Sequence, residues 1–183
     1  MRYRRLKVEG ASYFFTVVTF ERRKLFGEPE AVELLNEAIF RVRNRHPFDL
    51  EALVVLPDHL HALWQMPPND ASYSMRWRLV KEAFTRSYMR RFGIPDATPT
   101  QQGRGEQTVW QRRFWEHLIR DDSDFAAHLD YIHLNPVHHG LSRSPEDWPH
   151  STFKQWVGRG AYEPGWGSDV KPALPDWSKK FEP

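Results

Sequence analysis

Two apolar runs separated by only two residues constrain this chain more than any other feature. Leu50-Glu-Ala-Leu-Val-Val-Leu56 and the run from His59 to Met66 flank Pro57-Asp58, and so short a connection permits only an antiparallel hairpin. Pro67-Pro68-Asn69-Asp70 ends the second run. Upstream, residues 13–20 are β-branched and aromatic throughout and follow the turn-like Glu9-Gly10, so they read as a buried strand. Between that strand and the hairpin, Pro29 suits a helix's first turn, and Ala31, Leu34, Leu35, Ala38, Ile39 and Val42 recur at helical spacing up to about Arg45. A second amphipathic helix is expected from about Ser72 or Ser74 to Arg91, closed by Gly93 and Pro95. Residues 94–107, rich in Pro, Thr, Gln and Gly, read as a flexible surface loop. Thr108 to Phe114 alternates and is expected to be the fourth strand. Asp121 to Asn135 reads as helical, with Asp121-Asp122 suiting its N-terminus. Pro136 favours an end there, with Asn135 capping a short further turn to His139 before Gly140. The order β-α-β-β-α-β is that of an α+β, ferredoxin-like sheet with helices on one face, followed here by one more helix. Such a fold assigns no chemistry by itself.

Composition narrows the chemistry. The 183 residues contain no cysteine, which excludes a disulfide scaffold, a thiolate metal site and a thiol nucleophile. Any metal must be held by His, carboxylate or amide groups. No apolar run approaches the ~20 residues of a membrane helix, and Met1-Arg-Tyr-Arg-Arg5 lacks the apolar stretch of a signal peptide, so a cytoplasmic protein is expected. The net charge of +2 is uninformative, but Arg76 to Arg113 holds nine basic against three acidic residues. With Trp77, Phe84, Tyr88, Phe92 and Trp110 interleaved, this stretch suits a nucleic-acid backbone with bases to stack. An Arg-rich helix face packed on its aromatic side accounts for it equally well.

His59 and His61 stand two apart on the expected third strand, and the period of two turns both imidazoles to one face. Such a pair can chelate a divalent cation, or can be two half-buried hydrogen-bonding groups. On the last helix Asp124, His128, Tyr131 and Asn135 recur at spacings of four, three and four, a polar stripe amid Phe125, Leu129 and Ile132. The stripe is either a solvent face or a site.

Four strings carry a resemblance: Leu56-Pro-Asp-His-Leu-His-Ala-Leu-Trp64, Val109-Trp-Gln-Arg-Arg-Phe-Trp-Glu-His117, Tyr131-Ile-His-Leu-Asn-Pro-Val-His-His-Gly-Leu141 and Asp147-Trp-Pro-His-Ser151. Together with Met1-Arg-Tyr-Arg-Arg5 and Tyr13-Phe-Phe-Thr-Val17 they closely resemble the REP-associated tyrosine transposases, which belong to the HUH (His-hydrophobe-His) endonucleases. The resemblance spans most of residues 1–153. It implies a ferredoxin-like palm, a divalent Mg²⁺ or Mn²⁺ held by His59 and His61, and a nucleophilic Tyr131 that cuts single-stranded DNA at hairpins of repetitive extragenic palindromes. Relatives carry a polar amide or carboxylate one helical turn after the tyrosine as a further metal ligand, and Asn135 stands there. Their commonest string has Lys where this chain has His138, so a cation at that point becomes pH-dependent here.

The residue types suit that chemistry. A phenol with a pKa near ~10 is a poor nucleophile at neutral pH, so a metal must polarise the scissile phosphate while the proton is taken up. A covalent 5′-phosphotyrosine keeps the phosphodiester energy, which fits the absence of a Gly-rich nucleotide-binding loop. Arg2, Arg4, Arg5 and Lys7 of the basic arm, with Arg112 and Arg113, are the candidate DNA contacts; Trp110, Phe114 and Trp115 are stacking or core groups. His117 and His150 read as structural hydrogen-bonding groups. Two rivals remain: a repressor that binds the repeats without cutting, and a phosphoesterase that uses water. A TIM-barrel metallohydrolase is excluded by length. Residues 1–157 are expected to form the nuclease domain, as a monomer or homodimer. The tail 158–183 is expected to be irregular; with Trp156, Trp166 and Trp177 to bury, it either docks over an aromatic-lined groove and modulates access to the site, or packs on the far side of the sheet or stays disordered.

Overall fold

The computed structural model describes residues 7–93 and 109–168. In chain order they form β1 (Ser12–Val18), α1 (Pro29–Arg45), β2 (Asp49–Leu56), β3 (His59–Gln65), α2 (Tyr73–Phe92), β4 (Trp115–Leu118), α3 (Asp122–His138) and the short α4 (Phe153–Gly158). The sheet order is β2-β3-β1-β4 and every pair is antiparallel. This is the ferredoxin-like palm expected from the pattern. The two-residue connection at Pro57-Asp58 makes the β2–β3 hairpin, and β3 then adds to β1 with Thr16 opposite His61.

Alternation decides what each face buries. Tyr13, Phe15 and Val17 of β1 and Leu60, Ala62 and Trp64 of β3 turn to α1 and α2, where Trp64 stacks on Trp77 at 4.2 Å between ring centroids. Phe14 of β1 and Leu63 of β3 turn the other way, into a second core with Leu129 and Ile132 of α3. His59 and His61 share the odd-numbered face of β3, so they lie under α3. A register slip of one residue would turn both imidazoles into the apolar layer beneath α1 and α2, so the apolar pattern and the site fix the register together.

The helix ends follow their sequences. Pro29 opens α1, and Gly93, at φ +84°, closes α2 in a backbone conformation that side chains disfavour. The Asp121 side chain caps α3 by accepting from the Asp124 backbone N–H at 2.8 Å.

Two expectations are corrected. The fourth strand is Trp115–Leu118 rather than Thr108–Phe114. Val109 and Trp110 are buried in the α1–α2 layer, Trp110 making only an isolated bridge to Thr19, so their alternation reflects core packing. Secondly, α3 continues through Pro136 to His138. Asn135 is therefore an interior helical residue, and the helix tolerates the missing proline N–H because packing on the sheet holds it. The expected loop 94–107 lies outside the described residues.

The chain beyond α4 is described to Ser168 and packs against α3. Tyr162 donates to Asp130 Oδ1 at 3.0 Å and lies 2.9 Å from His133 Nδ1. Gly167, at φ +72°, passes so close that an added Cβ would sit 2.7 Å from Leu134 Cδ2. These contacts use the side of α3 that carries Asp130, His133 and Leu134, and Tyr162 and Trp166 join the same core cluster as Leu129, Tyr131 and Ile132.

Candidate active site

Neighbouring strands supply the floor of the site and one helix supplies its roof. Phe14, fully buried on β1, has ring centroids of His61, Tyr131 and His128 at 5.4, 5.8 and 4.9 Å. His59 and His61 lie 5.0 Å apart, and the Tyr131 ring stands 5.1 Å from His61 at 65°. Farther along the same stripe of α3, His139 at the helix end reaches His59 at 5.3 Å. Asn135, one turn from Tyr131 and one from His139, is therefore over the His pair. Ring contacts thus bring His59, His61, Tyr131 and His139 together, and helical spacing sets Asn135 on the same stripe between Tyr131 and His139.

Each imidazole of the pair is held by its Nδ1. His59 Nδ1–H donates to Asp58 Oδ1 at 2.6 Å, and His61 Nδ1 is 2.9 Å from Thr16 Oγ1. With the proton on Nδ1, both rings keep the Nε2 lone pair. Both Nε2 atoms are buried and have no partner among the described residues, as are both side-chain polar atoms of Asn135. Buried polar atoms normally find partners, and five-membered rings with one nitrogen tied off are the usual form of a metal-ligating histidine. Two imidazole nitrogens and an amide oxygen suit a divalent metal ion. Burial pushes His61 well below the ordinary histidine range; it also lowers His59, with Asp58 opposing. Both rings are thus neutral, as ligands must be.

A second polar group braces the start of α3. Asp124 accepts from the backbone N–H of Arg120 at 3.0 Å, from the Arg120 guanidinium at 3.0 and 3.2 Å, and lies 2.9 Å from His117 Nε2 on β4. His128 Nδ1 is 2.7 Å from the Asp124 carbonyl oxygen, and burial lowers His128 to about 4. His117, Asp124 and His128 have donor atoms within 4.8 Å of one another, a spacing able to hold a metal ion. The Asp124 carboxylate is already taken up by Arg120 and His117, so as it stands the group is a hydrogen-bonded tie between β4 and α3.

The other candidates are dispersed. Arg112 and Arg113 are exposed on the approach to β4. Trp115 is half-buried, packs on the α3-side core and stacks near His117 at 6.2 Å. Trp110 and Phe114 belong to the opposite layer, as do Trp77 and Phe84, so these rings of the cationic stretch are core. Arg76 is itself buried, paired with Asp70 at 2.6 Å. His150 is half-buried beside Trp148 at 5.8 Å, and His138 is half-buried beside His139 at 5.5 Å. Lys7 is exposed; Arg2, Arg4, Arg5 and Trp177 lie outside the described residues. Sequence reasoning missed Asp58, read only as a turn residue, along with Thr16 and His139. Asp58 and His139 had a signal, adjacency to His59 and the next step of the α3 stripe; Thr16 needed the strand register.

Comparison with known proteins gives the arrangement its family. The profile described as "Transposase IS200 like" matches residues 7–135. The REP-associated tyrosine transposase of Escherichia coli K12 is 39% identical over 168 residues, 92% of each chain. The chain belongs to the REP-associated tyrosine transposases. A Haemophilus influenzae protein assigned provisionally to the same family is 41% identical over 170 residues, covering 91% of this chain and 93% of its own. A REP-associated tyrosine transposase solved bound to a REP hairpin superposes with a TM-score of 0.75 at 36% identity, over 96% of this chain and 97% of that one. As a REP-associated tyrosine transposase, this chain is a DNA-processing protein. No helix among its described residues is long and apolar enough to cross a membrane.

Proposed function

We propose that this transposase cuts and rejoins single-stranded DNA at hairpins of repetitive extragenic palindromes, with Tyr131 as nucleophile and a Mg²⁺ or Mn²⁺ ion held by His59, His61 and Asn135. The observation that carries this reading is the Tyr131 ring 5.1 Å from His61, beside imidazoles whose buried Nε2 atoms lack partners among the described residues. A family relative captured on a REP hairpin supports the choice of DNA. The ion, when bound, supplies Lewis-acid polarisation of the scissile phosphate.

The chain's own residues do the rest. Tyr131 Oη attacks phosphorus and forms a 5′-phosphotyrosine bond while the P–O3′ bond breaks; one proton passes, in net, from the phenol to the departing 3′-oxygen, which leaves as a hydroxyl. Attack by another 3′-hydroxyl reverses the step and rejoins the strand, regenerating the phenol. Phe14 keeps the tyrosine and His61 in fixed relation, and the buried setting excludes the water that would compete as nucleophile. Exposed Arg112 and Arg113, with the basic residues of the N-terminal arm, hold the DNA backbone.

The experiment is incubation with Mn²⁺ and labelled single-stranded repeat hairpins from the protein's own genome. A denaturation-resistant protein–DNA adduct is expected, abolished by chelator. Cleavage without an adduct would indicate a water-using phosphoesterase, and tight binding with no cleavage a repressor.

A further inference from the structure

Thr19 to Phe26, between β1 and α1, is built at unusual local cost and is zipped onto the Pro57-Asp58 turn. Thr19 N–H donates to Asp58 O at 2.9 Å, the Thr19 hydroxyl lies 2.8 Å from the same oxygen, and Phe26 N–H donates to Pro57 O at 2.9 Å. Inside that clamp two successive non-glycine residues are left-handed, Glu21 at φ +50° and Arg22 at φ +54°. Asn69 is the other described non-glycine residue with such a backbone. Arg22 also leaves one guanidinium nitrogen, NH1, buried without a partner among the described residues. Strained backbone persists only where the surroundings over-determine it, and such residues cluster at functional positions.

What the strained backbone delivers is one contact. Arg22 NH2 sits 2.8 Å from Asp58 Oδ2, while the other oxygen of that carboxylate, Oδ1, takes the Nδ1–H of His59 at 2.6 Å. The carboxylate is thus held from both sides, by a cation on one oxygen and an imidazole on the other. We infer that Arg22 is a positioning residue: acting through Asp58, it fixes the plane and tautomer of His59 so that Nε2 faces the metal position. A carboxylate behind a ligating histidine is a familiar arrangement; here a third residue fixes the carboxylate. With the guanidinium removed, Asp58 has one anchor fewer and the imidazole is free to tilt. The inference rests on the metal centre proposed above, and its test separates the two.

The test is Mn²⁺ binding to the full-length chain by calorimetry, with thermal unfolding measured in parallel. Arg22→Gly removes the guanidinium while suiting a left-handed φ, so its unfolding temperature should hold or rise. Its Mn²⁺ Kd should nevertheless weaken about tenfold, the scale on which outer partners of metal ligands act. Arg22→Gln should weaken binding similarly and decides the matter should the glycine variant not fold; Arg22→Lys should recover part of the loss. In an Asp58→Asn background, Arg22→Gly should add less than about twofold. An Arg22→Gly Kd within about twofold of the parent, or an undiminished loss in the Asp58→Asn background, overturns the positioning role. His61→Ala serves as reference: were it to bind Mn²⁺ like the parent, the metal centre would fall and the inference with it.

Discussion

Tyr131 differs from phenylalanine by one oxygen, and the proposed chemistry resides in that oxygen. Its ring is buried against Phe14 and His61, contacts that phenylalanine keeps. Tyr131→Phe should therefore leave stability within about 1 kcal/mol and hairpin affinity nearly intact, while the covalent adduct disappears from denaturing gels. An adduct that persists moves the nucleophile elsewhere, and not to Tyr88, which packs on the α1–α2 layer on the opposite face of the sheet. Phe14 makes the complementary case, because it has no chemistry and touches the two rings to which the chemistry is assigned, His61 and Tyr131, along with His128. Phe14→Leu keeps apolar character but leaves a small void and loses the ring contacts, so urea unfolding should detect a loss of about 1 to 2 kcal/mol. Cleavage should fall much further, on the order of tenfold to a hundredfold, since displacements near 1 Å at a reacting centre have that effect. Equal small losses in both measurements would mean that the ring only fills space.

Between elements, His133 ties α3 to the segment that follows it. It is fully buried, with Nδ1 2.9 Å from the Tyr162 hydroxyl and Nε2 3.0 Å from Thr152 Oγ1. Burial pushes its pKa down to about 3. An unfolded chain takes up this proton near pH ~6.5, the folded one only near the lowered value, so stability is full above pH 6.5 and lost as pH falls between the two. At pH 5 the loss from this residue is about 2 kcal/mol relative to pH 7. Urea unfolding should show a smaller pH 7 to pH 5 decrement in His133→Gln; an unchanged decrement would assign the acid sensitivity to other groups. The elements themselves were largely legible. Periodicity located α1, α2 and the hairpin within a residue or two, because amphipathic faces and glycine ends act locally. Pro136 misled because a helix held down by the sheet survives a local defect that an isolated one would not. Trp110 misled because a buried connector and a strand share one alternation. The His pair and the polar stripe of α3 were visible as patterns. That they face each other depends on α3 crossing the sheet opposite α1 and α2, which no local spacing encodes.

For the whole molecule, net charge matters less than which cations reach solvent. Arg76 and Lys81 are buried and occupied, Arg76 with Asp70, His46 O and Pro47 O, and Lys81 with Gln111 O at 3.0 Å. These two cations of the stretch are therefore scaffold, and removing Arg76 should unfold the protein rather than weaken DNA binding selectively. Arg112 and Arg113 are exposed beside the strand that braces α3. If they hold phosphates, each releases counterions when DNA binds, and the slope of log affinity against log salt reports their number. For the double variant Arg112→Ala/Arg113→Ala we expect weaker binding of single-stranded hairpins, with a slope shallower by about 1.4 to 1.8, two phosphates at 0.7 to 0.9 each. Saturating hairpin should restore cleavage to the parent rate, since neither residue lies among the groups around Tyr131. A reduced affinity with an unchanged slope would mean that the two arginines act on the fold of the β4 approach, leaving the N-terminal arm to carry the phosphate contacts.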